Sequence, residues 1–107
     1  MATQLNSQEF KNQVLETEGV ALIDFWAEWC PPCRALTPTI DELASDKEGS
    51  ALVAKVNVDE AKDVAAQFNV SSIPTVIVFK NGKEVERLVG LRQKDDYEQA
   101  LANAGAG

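Results

Sequence analysis

The sequence predicts an α/β fold in one domain over residues 1–107, with a central mixed five-stranded sheet covered by helices on both faces. Three observations carry that expectation. Apolar strand-like runs alternate with helix-periodic segments through the first part of the chain, the pattern of parallel strands joined by crossover helices. Asn81-Gly82 then separates two strand-like runs by two residues, the strongest short-range hairpin signal, so an antiparallel pair is added. A length of 107 residues, with 45% hydrophobic and 25% charged side chains, suits one core in an ordinary globular chain.

A short strand is expected near Thr3 to Leu5. Asn6 caps the helix that follows, with Glu9 completing a capping box and Phe10, Val14 and Leu15 facing inward. Gly19 ends that helix, and Val20-Ala21-Leu22-Ile23-Asp24-Phe25-Trp26 reads as a strand buried on both faces, the centre of the sheet. A second helix carries Cys33, Leu36, Ile40, Leu43 and Ala44 on one face and ends within Asp46 to Ser50. Ala51 to Asp59 is the next strand and Glu60 to Phe68 the next helix, with Val64, Ala65 and Phe68 inward. Val76 to Phe79 and Lys83 to Val89 form the hairpin, Gly90 a bulge or bend, and about Gln93 to Asn103 a closing helix that buries Tyr97, Ala100 and Leu101. The tail Ala104-Gly105-Ala106-Gly107 is expected to fray. Repeats and linkers are absent from the sequence.

Seventeen acidic residues against 10 basic ones give a net charge of −7, which repels phosphate backbones and anionic lipid, so neither nucleic acid nor a membrane surface is an expected partner. The first ten residues have no basic region and no apolar stretch, so they do not read as a signal peptide, and a cytoplasmic location is expected.

The chemistry gathers at Trp29-Cys30-Pro31-Pro32-Cys33, which holds both cysteines of the chain. Two sulfurs three positions apart at a helix start face each other across one turn, and the unpaired N–H groups there favour a thiolate. A structural zinc site needs four ligands, and two Cys with no His leave it short; a structural staple across so small a gap closes almost no loop. The absence of His also removes a Cys-His nucleophile pair. Asp24 is the only charge in the central strand. It must be paired, hydrogen-bonded or protonated, unless it turns to a sheet edge or a water pocket. Lys55 either faces Asp24 or extends to solvent.

Phe25-Trp26-Ala27-Glu28-Trp29-Cys30, Ile73-Pro74-Thr75, Asn81-Gly82 and Gly90, together with Asp24, Pro38, Lys55 and Asp59, resemble the thioredoxin family over nearly the whole chain. The resemblance implies a thioredoxin-like fold and a thiol-disulfide oxidoreductase, a general protein disulfide reductase. Cys30 would be its exposed attacking thiol and Cys33 its buried resolving thiol. It also implies that Asp24 lies beneath Cys33 as proton acceptor with Lys55 moderating its charge, and that Ile73-Pro74 is cis. Trp29, Pro31, Pro32, Ile73, Pro74 and Gly90 would form the substrate surface. The implied partners are a thioredoxin reductase and diverse disulfide-containing proteins, met by a monomer. No cofactor or metal is expected on this chain, which lacks a Gly-rich dinucleotide fingerprint; NADPH and flavin belong to the partner reductase. Pro31 departs from the family pattern, which usually has glycine there, and bears on the redox potential. Cys-Pro-Pro-Cys is also similar to membrane-tethered thioredoxin-like reductases, which need an anchor or export signal. A specialised reductase, a thiol oxidase and a non-catalytic binding module are the alternatives.

Overall fold

A computed structural model describes residues 1–106. Five strands, β1 (Thr3–Gln4), β2 (Val20–Trp26), β3 (Leu52–Asn57), β4 (Thr75–Lys80) and β5 (Lys83–Val89), form one sheet in the order β1-β3-β2-β4-β5. β1, β3 and β2 run parallel, while β4 and β5 are antiparallel additions. The helices are α1 (Ser7–Phe10), α2 (Pro31–Asp46), α3 (Lys62–Gln67) and α4 (Lys94–Asn103). This is the thioredoxin-like mixed sheet flanked by helices that the sequence predicts.

β2 is central because its side chains are apolar on both faces, and everything from Ala21 to Phe25 is buried. Leu22, Val53, Val76, Val78 and Leu88 pack on one side against Leu36, Ile40 and Leu43 of α2 and Tyr97 and Leu101 of α4. Ile23, Phe25, Val56, Ile77 and Phe79 face the other way, toward Phe10, Val14 and Val64. Phe10 meets Phe25, Phe68 and Phe79 edge-on there, an arrangement that suits the ring quadrupoles. Alternation along the strands thus sends Asp24 and Trp26 to the α2/α4 face together with Leu22.

Asn6 caps α1 as expected: its Oδ1 accepts from the Glu9 N–H at 2.8 Å, and the Glu9 carboxylate accepts from the Asn6 N–H at 2.9 Å. Beyond Phe10 the helix widens into a π-helical turn, Lys11–Leu15, with the Glu16 N–H donating to the Lys11 carbonyl. The wider turn brings Leu15 to the core that Phe10 and Val14 already face, which a regular α-helix spaces less well.

At the hairpin, Asn81 (φ 51°) and Gly82 (φ 82°) join Lys80 to its partner Lys83, the left-handed pair that matches strand twist. The register shifts between Val78 and Phe79, so the bulge falls at Val85, and Gly90 makes a bend.

The expected fraying of the tail is corrected for Ala104 to Ala106, while Gly107 lies outside the described residues. The Ala106 N–H donates to the Leu101 carbonyl and the Gly105 N–H to that of Ala102, with Gly105 at φ 98°. That is a Schellman cap, and it turns the Ala106 methyl into the core, where both Ala104 and Ala106 are buried.

Candidate active site

Cys30 is the N-cap of α2, in extended conformation, and Pro31 and Pro32 occupy the first two helical positions. Proline is well suited to the first turn, whose amides lack helical partners. With those N–H groups gone, the Cys33 N–H is the donor that reaches the Cys30 sulfur, at 3.2 Å. The two cysteines are joined as a disulfide with Cα atoms 5.2 Å apart.

Cys30 proves less exposed than the resemblance implies. It retains 3% of its surface and Cys33 none, because Ala27, Trp26, Val58 and Ile73 pack around the pair. What separates the two sulfurs is position: Cys30 lies before the first turn, whereas Cys33 points inward from it with Leu36 and Ile40. The Ile73 carbonyl stands 3.8 Å from the Cys30 sulfur. Ile73-Pro74 is cis, and the Pro74 carbonyl accepts from the Gly90 N–H at 2.8 Å. The fold therefore brings Cys30, Cys33, Ile73, Pro74 and Gly90 together from three separate segments. Pro74 itself is buried, so it shapes the loop, and the exposed surface beside the sulfurs comes from Pro31 and Pro32, with Ile73 and Gly90 half-buried.

Trp29 is 66% exposed, yet its indole is held, since Nε1 donates to the Asp59 carboxylate at 2.7 Å. Asp59 is in turn positioned by its own N–H, which donates to Asn57 Oδ1 at 2.9 Å. Arg34 reaches back from α2 to donate to the Glu28 carbonyl at 2.7 Å, closing the segment before Cys30.

Asp24 is fully buried, and neither carboxylate oxygen has a hydrogen-bond partner among the described residues. The exit to a sheet edge is thereby excluded, because β2 lies between β3 and β4. Burial pushes its carboxyl up to about 7, and the charge on Lys55 offsets part of that rise. Lys55 is the register partner of Asp24 on β3, so both project from the same face. They form no ion pair: the Lys55 ammonium lies over the Trp26 ring, 4.0 Å from its centroid. No hydrogen bond joins Asp24 to either cysteine in this oxidised state. Tyr97 of α4 is raised by burial, and the Asp24 charge adds to that; its hydroxyl accepts from the Arg92 N–H at 3.2 Å.

Three participants were hidden in the sequence. Asp59 is visible only as part of a resemblance, and its grip on Trp29 requires residues 30 apart to meet. Tyr97 reads as core. Gln4, whose side chain accepts from the Trp26 indole at 2.9 Å, carries no sequence signal. Among the described residues, no group of three or more His, Cys, Asp or Glu is placed to hold a metal. The Cys30–Cys33 disulfide is the redox centre. No described helix is long and apolar enough to cross a membrane.

Comparison with known proteins agrees with this geometry. The thioredoxin family model matches residues 1–103. A thioredoxin of Rickettsia bellii is 42% identical over 103 residues, covering 96% of this chain and 98% of the relative. Thioredoxin 2 of Chlorobaculum tepidum is 47% identical, covering 88% and 86%. The chloroplastic M-type thioredoxin of Spinacia oleracea is 48% identical, covering 91% of this chain and 54% of its own length. Likeness at this level, running through sheet, helices and sulfur pair alike, means that the chain belongs to the thioredoxin family and has that family's redox activity through a Cys-x-x-Cys disulfide.

Proposed function

We propose that this protein is a general protein disulfide reductase working in the cytoplasm, recharged by a thioredoxin reductase. The observation that carries the reading is the sulfur pair at the start of α2, with the Cys33 N–H donating to the Cys30 sulfur. A hydrogen bond to a sulfur favours its anionic form, which is the attacking species.

In the proposed cycle the Cys30 thiolate attacks a substrate disulfide, forming a mixed disulfide and releasing one substrate sulfur as a thiolate. Cys33 loses its proton to Asp24, directly or through an intervening water, and its sulfur displaces the second substrate sulfur from Cys30. Two electrons leave the dithiol, the substrate becomes a dithiol, and the Cys30–Cys33 disulfide remains. An Asp24 carboxyl pushed up to about 7 suits this task, since it accepts a proton near neutral pH and can return it. Trp29, Pro31, Pro32, Ile73, Pro74 and Gly90 are the proposed substrate surface. The loop at Ile73 presents its carbonyl beside the sulfur, where an extended peptide can pair with it.

Trapping tests the order of attack. Cys33→Ser is expected to accumulate mixed disulfides through Cys30, and Cys30→Ser to accumulate none, as read by mass spectrometry. Trapping through Cys33 would reverse the two roles. Reduction of insulin disulfides by dithiothreitol should accelerate with the unmodified protein, and no acceleration would leave only a binding module.

A further inference from the structure

On the α2/α4 face of the sheet, Gln4, Lys55, Asp24 and Val76 stand side by side on β1, β3, β2 and β4. Two positions beyond Asp24, the Trp26 indole reaches from β2 across β3 to β1, where its Nε1 donates to Gln4 Oε1 at 2.9 Å. Lys55 rises from the strand between them, and its ammonium lies 4.0 Å from the ring centroid. Among the described residues that ammonium has no carboxylate in ion-pair contact and no hydrogen-bond acceptor, so the ring is the group it meets. A long half-buried lysine with no fixed partner ordinarily turns its ammonium to water. The ring face attracts it instead, and the ring is itself held at its far edge by Gln4.

We propose that Gln4 and Trp26 are positioning residues that hold the Lys55 ammonium as a fixed positive charge beside Asp24. The two-residue strand β1 thereby acts on the site through Gln4, which is exposed and sits two strands away from Asp24 in the sheet. A fixed charge at this place favours the anionic carboxylate, and Lys55 is the one influence that draws the Asp24 carboxyl downward against burial. The other groups facing Asp24 work differently. Val76 on β4 is neutral, Tyr97 is the titratable group on the buried face of α4, and Cys33 is the one on the buried face of α2. In the oxidised protein Cys33 is held in the disulfide, which leaves Lys55 as the positive charge on Asp24.

Only the functional consequence of this device rests on reading Asp24 as proton acceptor; the device itself is tested without turnover. The measurement is the carboxyl carbon resonance of Asp24 followed against pH by NMR in the oxidised protein. Gln4→Leu removes the acceptor that fixes the indole, and Trp26→Phe keeps a ring while removing the same N–H. Both are expected to move the Asp24 midpoint upward by about half a pH unit, the size of a weakened contact of this kind. Lys55→Gln should move it upward as well, and Gln4→Leu added to Lys55→Gln should move it no further. No shift in Gln4→Leu and Trp26→Phe, a downward shift, or a shift that persists in the Lys55→Gln background would each overturn the proposal. The pH profile of mixed-disulfide resolution, measured on the same variants, reads the other question. A midpoint that moves while the profile stays put supports the positioning device and removes Asp24 as proton acceptor.

Discussion

Asp24 is the buried charged residue of the described chain, and its titration carries a signed consequence for stability. The folded chain holds the Asp24 proton up to about pH 7, whereas an unfolded aspartate releases it near 3.8. Between those values the folded state binds more protons, so stability falls as pH rises through the window. Below it both states are protonated, above it both are ionised, and the contribution is flat in each. Asp24→Asn is neutral throughout and keeps the shape. We expect it to be more stable by about 1–3 kcal/mol near pH 8.5 and about equal near pH 4, measured by urea unfolding of the oxidised protein. The same variant should leave the first attack nearly intact and slow resolution. Pro31 is the other residue with a measurable consequence. The sulfur-capping N–H comes from Cys33, so the donor absent at position 31 is not the one Cys30 uses. Pro31→Gly is therefore expected to change the midpoint potential by no more than about 30 mV, equivalent to about 1.4 kcal/mol. The unmodified protein should lie near the roughly −270 mV of thioredoxin, and a value near −120 mV would mark an oxidant.

Two short elements hold positions that longer ones depend on. The Asn81-Gly82 turn closes the β4–β5 hairpin and also docks on the first helical segment. The Gly19 N–H donates to Asn81 Oδ1 at 2.8 Å, and a Cβ at Gly82 would collide with the Leu15 carbonyl. Gly82→Ala thus meets both a left-handed backbone and a backbone clash, and a loss of about 1–3 kcal/mol is expected in denaturant unfolding. The cap after α4 offers a second test. Ala106→Asp places a charge against the core and should cost more than about 2 kcal/mol, whereas in a frayed tail it would be within about 0.5 kcal/mol. That tail shows how a local rule was present and outweighed. Ala-Gly-Ala after a helix is a Schellman sequence, yet small residues at a terminus also read as loose, and only the core beneath Ala106 decides between them.

The molecule as a whole carries a net charge of −7, and long-range forces on its partners follow from that. Reduction of a basic disulfide peptide should slow as salt is raised from low ionic strength to about 0.15 M, while reduction of an acidic counterpart should quicken, because screening removes attraction in one case and repulsion in the other. Stopped-flow kinetics on the two peptides checks the pair of signs; rates insensitive to salt would mean that contacts at the sulfurs alone set the encounter.

What the sequence determined by itself is whatever depends on residues within a turn or two of each other. The alternation of strand and helix periods, the Asn6–Glu9 box, the Asn81-Gly82 hairpin and the cysteines facing across one helical turn are all of this kind, because their geometry is set by local backbone dihedrals. Tertiary structure decided what depends on register and coverage. Among the described residues Asp24 has no hydrogen-bond partner because the sheet encloses it and helices cover its face; Lys55 meets an indole because β3 runs between the strands carrying Trp26 and Gln4. The Ile73 carbonyl stands beside Cys30 although 43 residues separate them in the chain. Such meetings follow from the packing of the whole sheet, and no window of neighbouring residues contains the distances that fix them.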